Sequence, residues 1–388
     1  MDAHTWKAIS LLLMLSDLVF SNVYHITPLS SDPCPVEHCF TLSQFAGNST
    51  NYLKAINTTF VFQPGKHSLE FQLLLGNVNT ISMLANSTLP SDSVITCQRD
   101  ARFEFVAVSN VNISGLNFLG CARNKVESVD LFTLEDSSFV GQEDINGTAL
   151  ELVETSANLV RSSFNYNKGD KIHHVRYWDY IESFRFVSAM AGGAISATRS
   201  KITVIQSMFE GNSAEVGGAI FSELNSNITI INSTFVGNHA TSIASYSIRY
   251  ASGGALYHDS DSTVITITDS KFMDNSAQYG GAVYLFDVIN STMTIADSKF
   301  MDNSAQNEGG AVILWDTTNT IITITDSEFI HNSAQYGGAV CLWDVTNTTI
   351  TISDSEFMDN STWFGGAVYL EDAINSNITI TDLSLIHI

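Results

Sequence analysis

The chain has 388 residues, 44% of them hydrophobic, which is enough for a large buried core; length alone would suggest more than one compact domain. Its formal charge is −23, with 17 Lys and Arg against 40 Asp and Glu. That balance argues against nucleic acid or an anionic membrane surface as partner, because both are held by surplus cations.

In chain order, residues 1–21 come first and read as a secretory signal: Ala8 to Leu15 is a short apolar run after Lys7, and Val19-Phe20-Ser21 offers a cleavage point. The run is too short to cross a bilayer as a helix. Residues 22–93 lack the repeat described below and are expected to cap the open end of a core. Export gives meaning to eleven N-x-[ST] sequons, at Asn48, Asn57, Asn86, Asn112, Asn146, Asn227, Asn232, Asn290, Asn347, Asn360 and Asn377. Several are expected to carry glycans on a secreted or cell-surface protein. Asn290, Asn347 and Asn377 are expected to share the turn before one strand and to shield one side. The cysteines are odd in number. Cys97 with Cys121 and Cys34 with Cys39 are the disulfide candidates, which leaves Cys341 as a buried free thiol.

From Lys201 onward one phrase returns. Its clearest copies start at Gly280-Gly281, Gly309-Gly310 and Gly337-Gly338. Phe272, Phe300, Phe329 and Phe357 recur at steps of 28, 29 and 28, and Asn275, Asn303, Asn332 and Asn360 follow three residues behind. Within each copy an I-T-I-T run alternates with strand periodicity, as at Ile265, Ile267, Ile322 and Ile324. Three short strands per unit, with no hairpin signal between them, predict an all-β, right-handed parallel β-helix over 94–388. Counting from Val94 gives about 11 or 12 turns, roughly 50 to 60 Å of rod. Isoleucine on isoleucine and phenylalanine on phenylalanine would fill the bore, and the asparagines would pass hydrogen bonds from turn to turn. The glycine pairs would supply unusual backbone angles or close approach at a corner. After Asp382 the expected Phe and Asn are replaced by LSLIHI, so the chain reads as a fragment and a downstream anchor is left open.

In its GGA[VI] and FxxN motifs the repeat resembles that of the chlamydial polymorphic outer membrane proteins, and the whole chain resembles the pectin-lyase-like β-helix class. The motifs match between Gly192 and Ala367. The resemblance implies the same fold and, by analogy, an adhesive surface role; it also supplies the alternative of a polysaccharide lyase or hydrolase.

That chemistry would need a local cluster outside the repeat. Residues 251–388 hold Lys271 and Lys299 as their only lysines or arginines against eighteen acidic residues, so an anionic polymer would be repelled there. The aspartates form columns, Asp269/Asp297/Asp326/Asp354 and Asp287/Asp316/Asp344/Asp372. Turn chemistry is the favoured reading and calcium the weaker alternative; no other cofactor or metal is expected. The segment from Lys168 to Phe186 breaks the pattern and gathers Lys171, His173, His174, Arg176, Trp178 and Tyr180. It reads either as a ligand-binding loop or as a solvated insertion. The corner aromatics Tyr279, Trp315, Tyr336, Trp343 and Trp363 are expected to pack between turns rather than stack on sugars. The expected function is a non-catalytic scaffold or adhesin that binds extracellular glycans or proteins, with no catalytic residue assigned.

Overall fold

A computed structural model describes residues 21–28, 39–47, 57–76, 78–87, 92–98, 101–141, 147–169, 172–179, 183–241 and 251–386. The signal segment, Cys34, Asn48, Asn146, Lys171 and Tyr180 lie outside them. The chain folds as a right-handed parallel β-helix. Three long parallel sheets run its length: sheet 1 with 14 strands, sheet 2 with 12 and sheet 3 with 11. A four-stranded set, called here the arm, joins sheet 2 to sheet 3 in the downstream coils. Its strands are Ser213–Ala214, His239–Ala240, Ser276–Tyr279 and Ser304–Glu308.

Each column of the core is one residue type repeated, because parallel in-register pairing sets the same position of every coil directly over the last. Sheet 1 pairs Ile265, Met293, Ile322, Ile350 and Ile378 in one inward row. Sheet 2 stacks Phe118, Phe139, Phe164, Phe209, Phe235, Phe272, Phe300, Phe329 and Phe357, with successive rings 4.4 to 5.5 Å apart and nearly parallel. The last strand, Ser384–Ile386, pairs in register with Glu356–Met358, setting Leu385 at the position of Phe357.

The asparagine ladder forms as expected and reaches further upstream, from Asn167 through Asn212, Asn238, Asn275, Asn303 and Asn332 to Asn360. Each Nδ2 donates both to the next Oδ1 at 2.9 to 3.0 Å and to a phenylalanine carbonyl, as Asn303 does to Asn332 and Phe272. With every donor and acceptor satisfied, a buried polar row costs little and fixes the register. Hydroxyl ladders that the sequence did not reveal do the same at the other corners. Ser270, Ser298, Ser327 and Ser355 each accept a backbone N–H from the coil before.

The glycine pairs divide the two tasks foreseen for them. Gly280, like its equivalents, has φ of +63°, and a Cβ on Gly281 would stand 2.1 Å from the Gly310 carbonyl oxygen. The first glycine turns the chain in a conformation that side chains resist, and the second lets coils touch backbone to backbone.

The coil begins earlier than expected. Asn57–Phe62 pairs with Thr80–Ala85 in sheet 1, and Gly65–Leu69 with Ser93–Cys97 in sheet 2, so three strands upstream of Val94 already belong to the coil. Capping falls instead to Ser21–Ile26 and the six-residue helix Leu42–Gly47, whose Phe45 is fully buried edge-on against Phe60. Cys97 and Cys121 are disulfide-bonded across adjacent coils, and Cys341 is a buried free thiol. No helix among the described residues is long and apolar enough to cross a membrane.

Candidate functional site

In the downstream coils sheet 3 is buried on both faces, unlike an ordinary solenoid wall. Its inward row Leu285, Leu314 and Leu342 lines the bore, while its outward row Phe221, Tyr257, Tyr284, Ile313 and Cys341 forms a second apolar cluster outside it. The arm folds over that outward row. Its facing column runs Ala191, Val216, Ser252, Tyr279, Glu308, Tyr336 and Phe364, paired in parallel from coil to coil.

Glu308 is the exception in this column. The coil that carries it is one residue longer than its neighbours, Asn307-Glu308 standing where other copies have a single Tyr, and the arm pairing shifts register there. The residue is 8% exposed, and its Oε2 is buried without a hydrogen-bond partner. Burial, with the Glu371 carboxylate adding to it, pushes its pKa up to about 7. Rings surround the position. Tyr279 meets Trp315 edge-on at 5.8 Å, Trp315 stacks on Trp343 at 5.5 Å, and Trp343 meets Tyr336 edge-on at 6.1 Å. Cys341 lies behind them, its thiol pushed well up by burial and then by the charges of Glu308 and Glu371. Tyr369 donates its hydroxyl to the Glu371 carboxylate, which raises the phenol to about 12. Asp344 is likewise raised, by burial first and then by Asp372 and Glu371.

Of the corner aromatics, Tyr279 is therefore buried rather than exposed, and Trp315, Tyr336 and Trp343 are partly covered by one another. Trp363, at 78% exposure, is the open one. The sequence held a signal for Glu308 in the 29-residue step between Phe300 and Phe329, which was read only as a spacing variation.

Four of the ligand-loop candidates, His173, His174, Arg176 and Trp178, sit in a hairpin. Ile172–Asp179 pairs antiparallel with Ser183–Met190, matching His173 with Ala189, His174 with Ser188, Arg176 with Phe186 and Trp178 with Phe184. A regular two-stranded ribbon replaces the loop expected there. Lys168 and Ala191, at its base, pair with Ser213 and Val216 of the arm side. The hairpin thus leaves the coil on the arm edge, four coils before Glu308, or roughly 19 Å along the axis.

The aspartate columns are turn residues. Asp269, Asp297, Asp326 and Asp354 have φ of 48° to 51°, and Asp287, Asp316, Asp344 and Asp372 have φ of 49° to 57°. This left-handed conformation is one that Asp and Asn tolerate better than other side chains, which accounts for the columns without a ligand. Among the described residues no group of three or more His, Cys, Asp or Glu is placed to hold a metal ion.

The sequons divide sharply. Asn57, Asn112, Asn227 and Asn377 stand on the outward face of sheet 1, and Asn86, Asn232, Asn290 and Asn347 in the turns at its edges. Asn377 opens the strand Asn377–Thr381, opposite Thr349; the turn equivalents of Asn290 and Asn347 are Asn319 and Asn375. Asn360 must be withdrawn as a glycan site. Its Nδ2, the atom a glycan would occupy, donates to the Phe329 carbonyl inside the ladder, and its Oδ1 accepts from Asn332.

Residues 206–223 match the Chlamydia polymorphic membrane protein repeat. No curated protein matches the chain. Among solved structures it is similar to the mannuronan C-5 epimerase AlgE4 A-module of Azotobacter vinelandii, at 12% identity over 89% of this chain and 91% of that one, with a TM-score of 0.39. It is also similar to the catalytic domain of a GH87 alpha-1,3-glucanase in complex with nigerose, at 8% identity, 94% and 68% coverage and a TM-score of 0.35. A third is the Streptococcus pneumoniae surface protein and adhesin PfbA, at 10% identity, 89% and 95% coverage and a TM-score of 0.34. Likeness at these levels bears on neither substrate nor activity.

Proposed function

We propose that the protein is an extracellular or cell-surface scaffold of adhesin type, which binds glycans or proteins along its arm edge and has no catalytic turnover. One observation carries this reading. Every described sequon whose amide is free of the ladder lies on sheet 1 or its bordering turns, while the hairpin, the aromatic column and Glu308 share the arm edge, where no described sequon lies. Glycans on the first surface would block contacts there and leave the second open. Glycopeptide mass spectrometry on the secreted protein tests it: occupancy is expected at Asn227, Asn290 and Asn347 and none at Asn360. An occupied Asn360, or unglycosylated protein throughout, would count against it.

A carbohydrate-active enzyme is the second reading. The specific feature favouring it is Glu308, whose raised proton affinity beside Glu371 suits a general acid paired with a carboxylate. Incubation with acidic and neutral polysaccharides, with and without calcium, would reveal new reducing or unsaturated ends. Turnover lost in Glu308→Gln or Arg176→Ala would replace the scaffold reading.

A further inference from the structure

The arm edge holds a buried carboxylate oxygen with nothing to bind. Glu308 is more than nine-tenths buried, yet its Oε2 has no partner, and the coil was lengthened by one residue to place it there. A solvated carboxylate would be indifferent to its neighbours; a buried, unpaired one is costly when ionised, and at a pH that keeps it ionised the cost falls when a donor or cation arrives. The chain does not supply one among the described residues. Lys271 and Lys299 are the only lysines or arginines after residue 250, both lie on the outward face of sheet 2, and Lys299 pairs with Glu328.

The surroundings narrow the ligand. Tyr279, Trp315, Trp343 and Tyr336 meet ring to ring in sequence, and Glu308 occupies the arm column between the two tyrosines, so the five residues close a circuit. Trp315, Trp343 and Tyr336 remain partly exposed, while Oε2 itself is buried beneath them. A hydrated metal ion fits poorly: no group of three or more His, Cys, Asp or Glu is placed to hold one among the described residues. A neutral sugar would use the ring faces and give Oε2 a hydroxyl donor, but it would bring no charge to offset the carboxylate. An organic ammonium satisfies both, its charge meeting Oε2 and its alkyl groups meeting the rings. Glu371 and Asp344 nearby add to the negative potential that would draw it in.

We propose that Glu308, Tyr279, Trp315, Trp343 and Tyr336 form a binding site for an alkylammonium group, either the quaternary head of a small molecule or the amine of a lysine side chain. The site rests on the binding reading above and names the chemistry that one part of the arm edge recognises.

The test is titration of the full secreted chain at low ionic strength and pH 8, followed by calorimetry or by ligand-observed NMR. The probes are tetramethylammonium, n-butylammonium as the lysine mimic, choline, and 3,3-dimethylbutan-1-ol as choline's uncharged counterpart. Saturable binding of at least one ammonium is expected, with the uncharged alcohol at least about tenfold weaker. Preference for tetramethylammonium identifies a quaternary head, and preference for butylammonium a lysine. Glu308→Gln and Trp343→Leu should each weaken binding by about tenfold or more, while Glu356→Gln on sheet 2 should leave it unchanged. Unaltered circular dichroism, with melting no lower than that of the parent chain, separates loss of the site from loss of the fold. Equal binding of the alcohol, unchanged affinity in Glu308→Gln, or no ammonium binding at all would overturn the proposal. Such a failure would leave the scaffold reading standing, because glycan placement and absence of turnover are measured independently.

Discussion

Along sheet 3 the outward row reads Glu104, Lys125, Glu151 and Ser196 in the upstream coils and Phe221, Tyr257, Tyr284, Ile313 and Cys341 in the downstream ones. The inward row is apolar from Phe105, Val126 and Leu152 to Leu285, Leu314 and Leu342, except where Ser222 and His258 stand in it. What changes between the regions is the connection from sheet 2. In the first coils it is a short turn such as Gly120 to Arg123, so the outer face meets water and carries ion pairs such as Lys125 with Glu127. Once the connection lengthens into an arm closed by a glycine pair, it lies across that face, and apolar residues become favourable there. One inner design therefore supports two different outer walls, and the wall is set by a few residues of connection.

The comparison can be broken most severely at the shared interior. Phe139→Ala upstream and Phe300→Ala downstream should each cost about 3–5 kcal/mol, and similar amounts, in urea unfolding. A much cheaper upstream change would mean that the two regions do not share one core. The outer walls should respond oppositely. Tyr284→Glu, which writes the upstream residue into the downstream wall, is expected to cost about 3 kcal/mol because the carboxylate is buried under the arm. Glu151→Tyr should move the midpoint by less than about 1 kcal/mol. Equal effects from the two would remove the distinction between covered and open walls.

Glu308 sharpens the contrast through pH. Its carboxyl ordinarily titrates near 4.5 and is pushed up to about 7 here, so the folded state holds the proton longer than the unfolded chain. Its penalty accumulates as pH rises from 4.5 to about 7 and is constant above. Glu308→Gln should thus gain on the order of 2 kcal/mol at pH 8 and nothing at pH 4; a gain independent of pH would refute the assignment. The smallest effect is expected at His258, which stands inside the bore between Ser222 and Leu285, hydrogen-bonded to the Ser222 and Thr263 hydroxyls. Burial lowers its pKa to about 3, so the unfolded chain takes up the proton first as pH falls below 6.5, and stability is lost between there and about 3. In His258→Leu that portion of the acid sensitivity should vanish, a difference of about 1 kcal/mol at pH 5.5 in parallel melts.

The interior was legible because stacking makes a column visible as a period: phenylalanines, asparagines and isoleucines recur at the coil length, and each fell where the period put it. The upstream coils were harder to read. Tyr24, Phe60 and Met83 share one core column of sheet 1 without repeating one type, so the strands before Val94 looked like a separate cap. Asn360 was misjudged because a sequon and a ladder position share the same letters, and only burial separates them. The hairpin of residues 172–190 carries no Asn-Gly or Asp-Gly turn signal. Glu308 escaped notice because an arm folded over an outward face depends on three-dimensional placement, while the sequence shows a one-residue insertion and one acidic substitution.

The asparagine ladder has a sense of direction. From Asn167 to Asn332 every rung gives one amide hydrogen to the Oδ1 of its C-terminal neighbour, ending at Asn360, and no such bond runs the other way, so the amide-to-amide links all point one way. The long axis is therefore electrically polar, like an arrow. Any further rung set beyond Asn360 must meet it with an oxygen, and any set before Asn167 must meet it with a hydrogen; two such rods could continue one another nose to tail and never nose to nose.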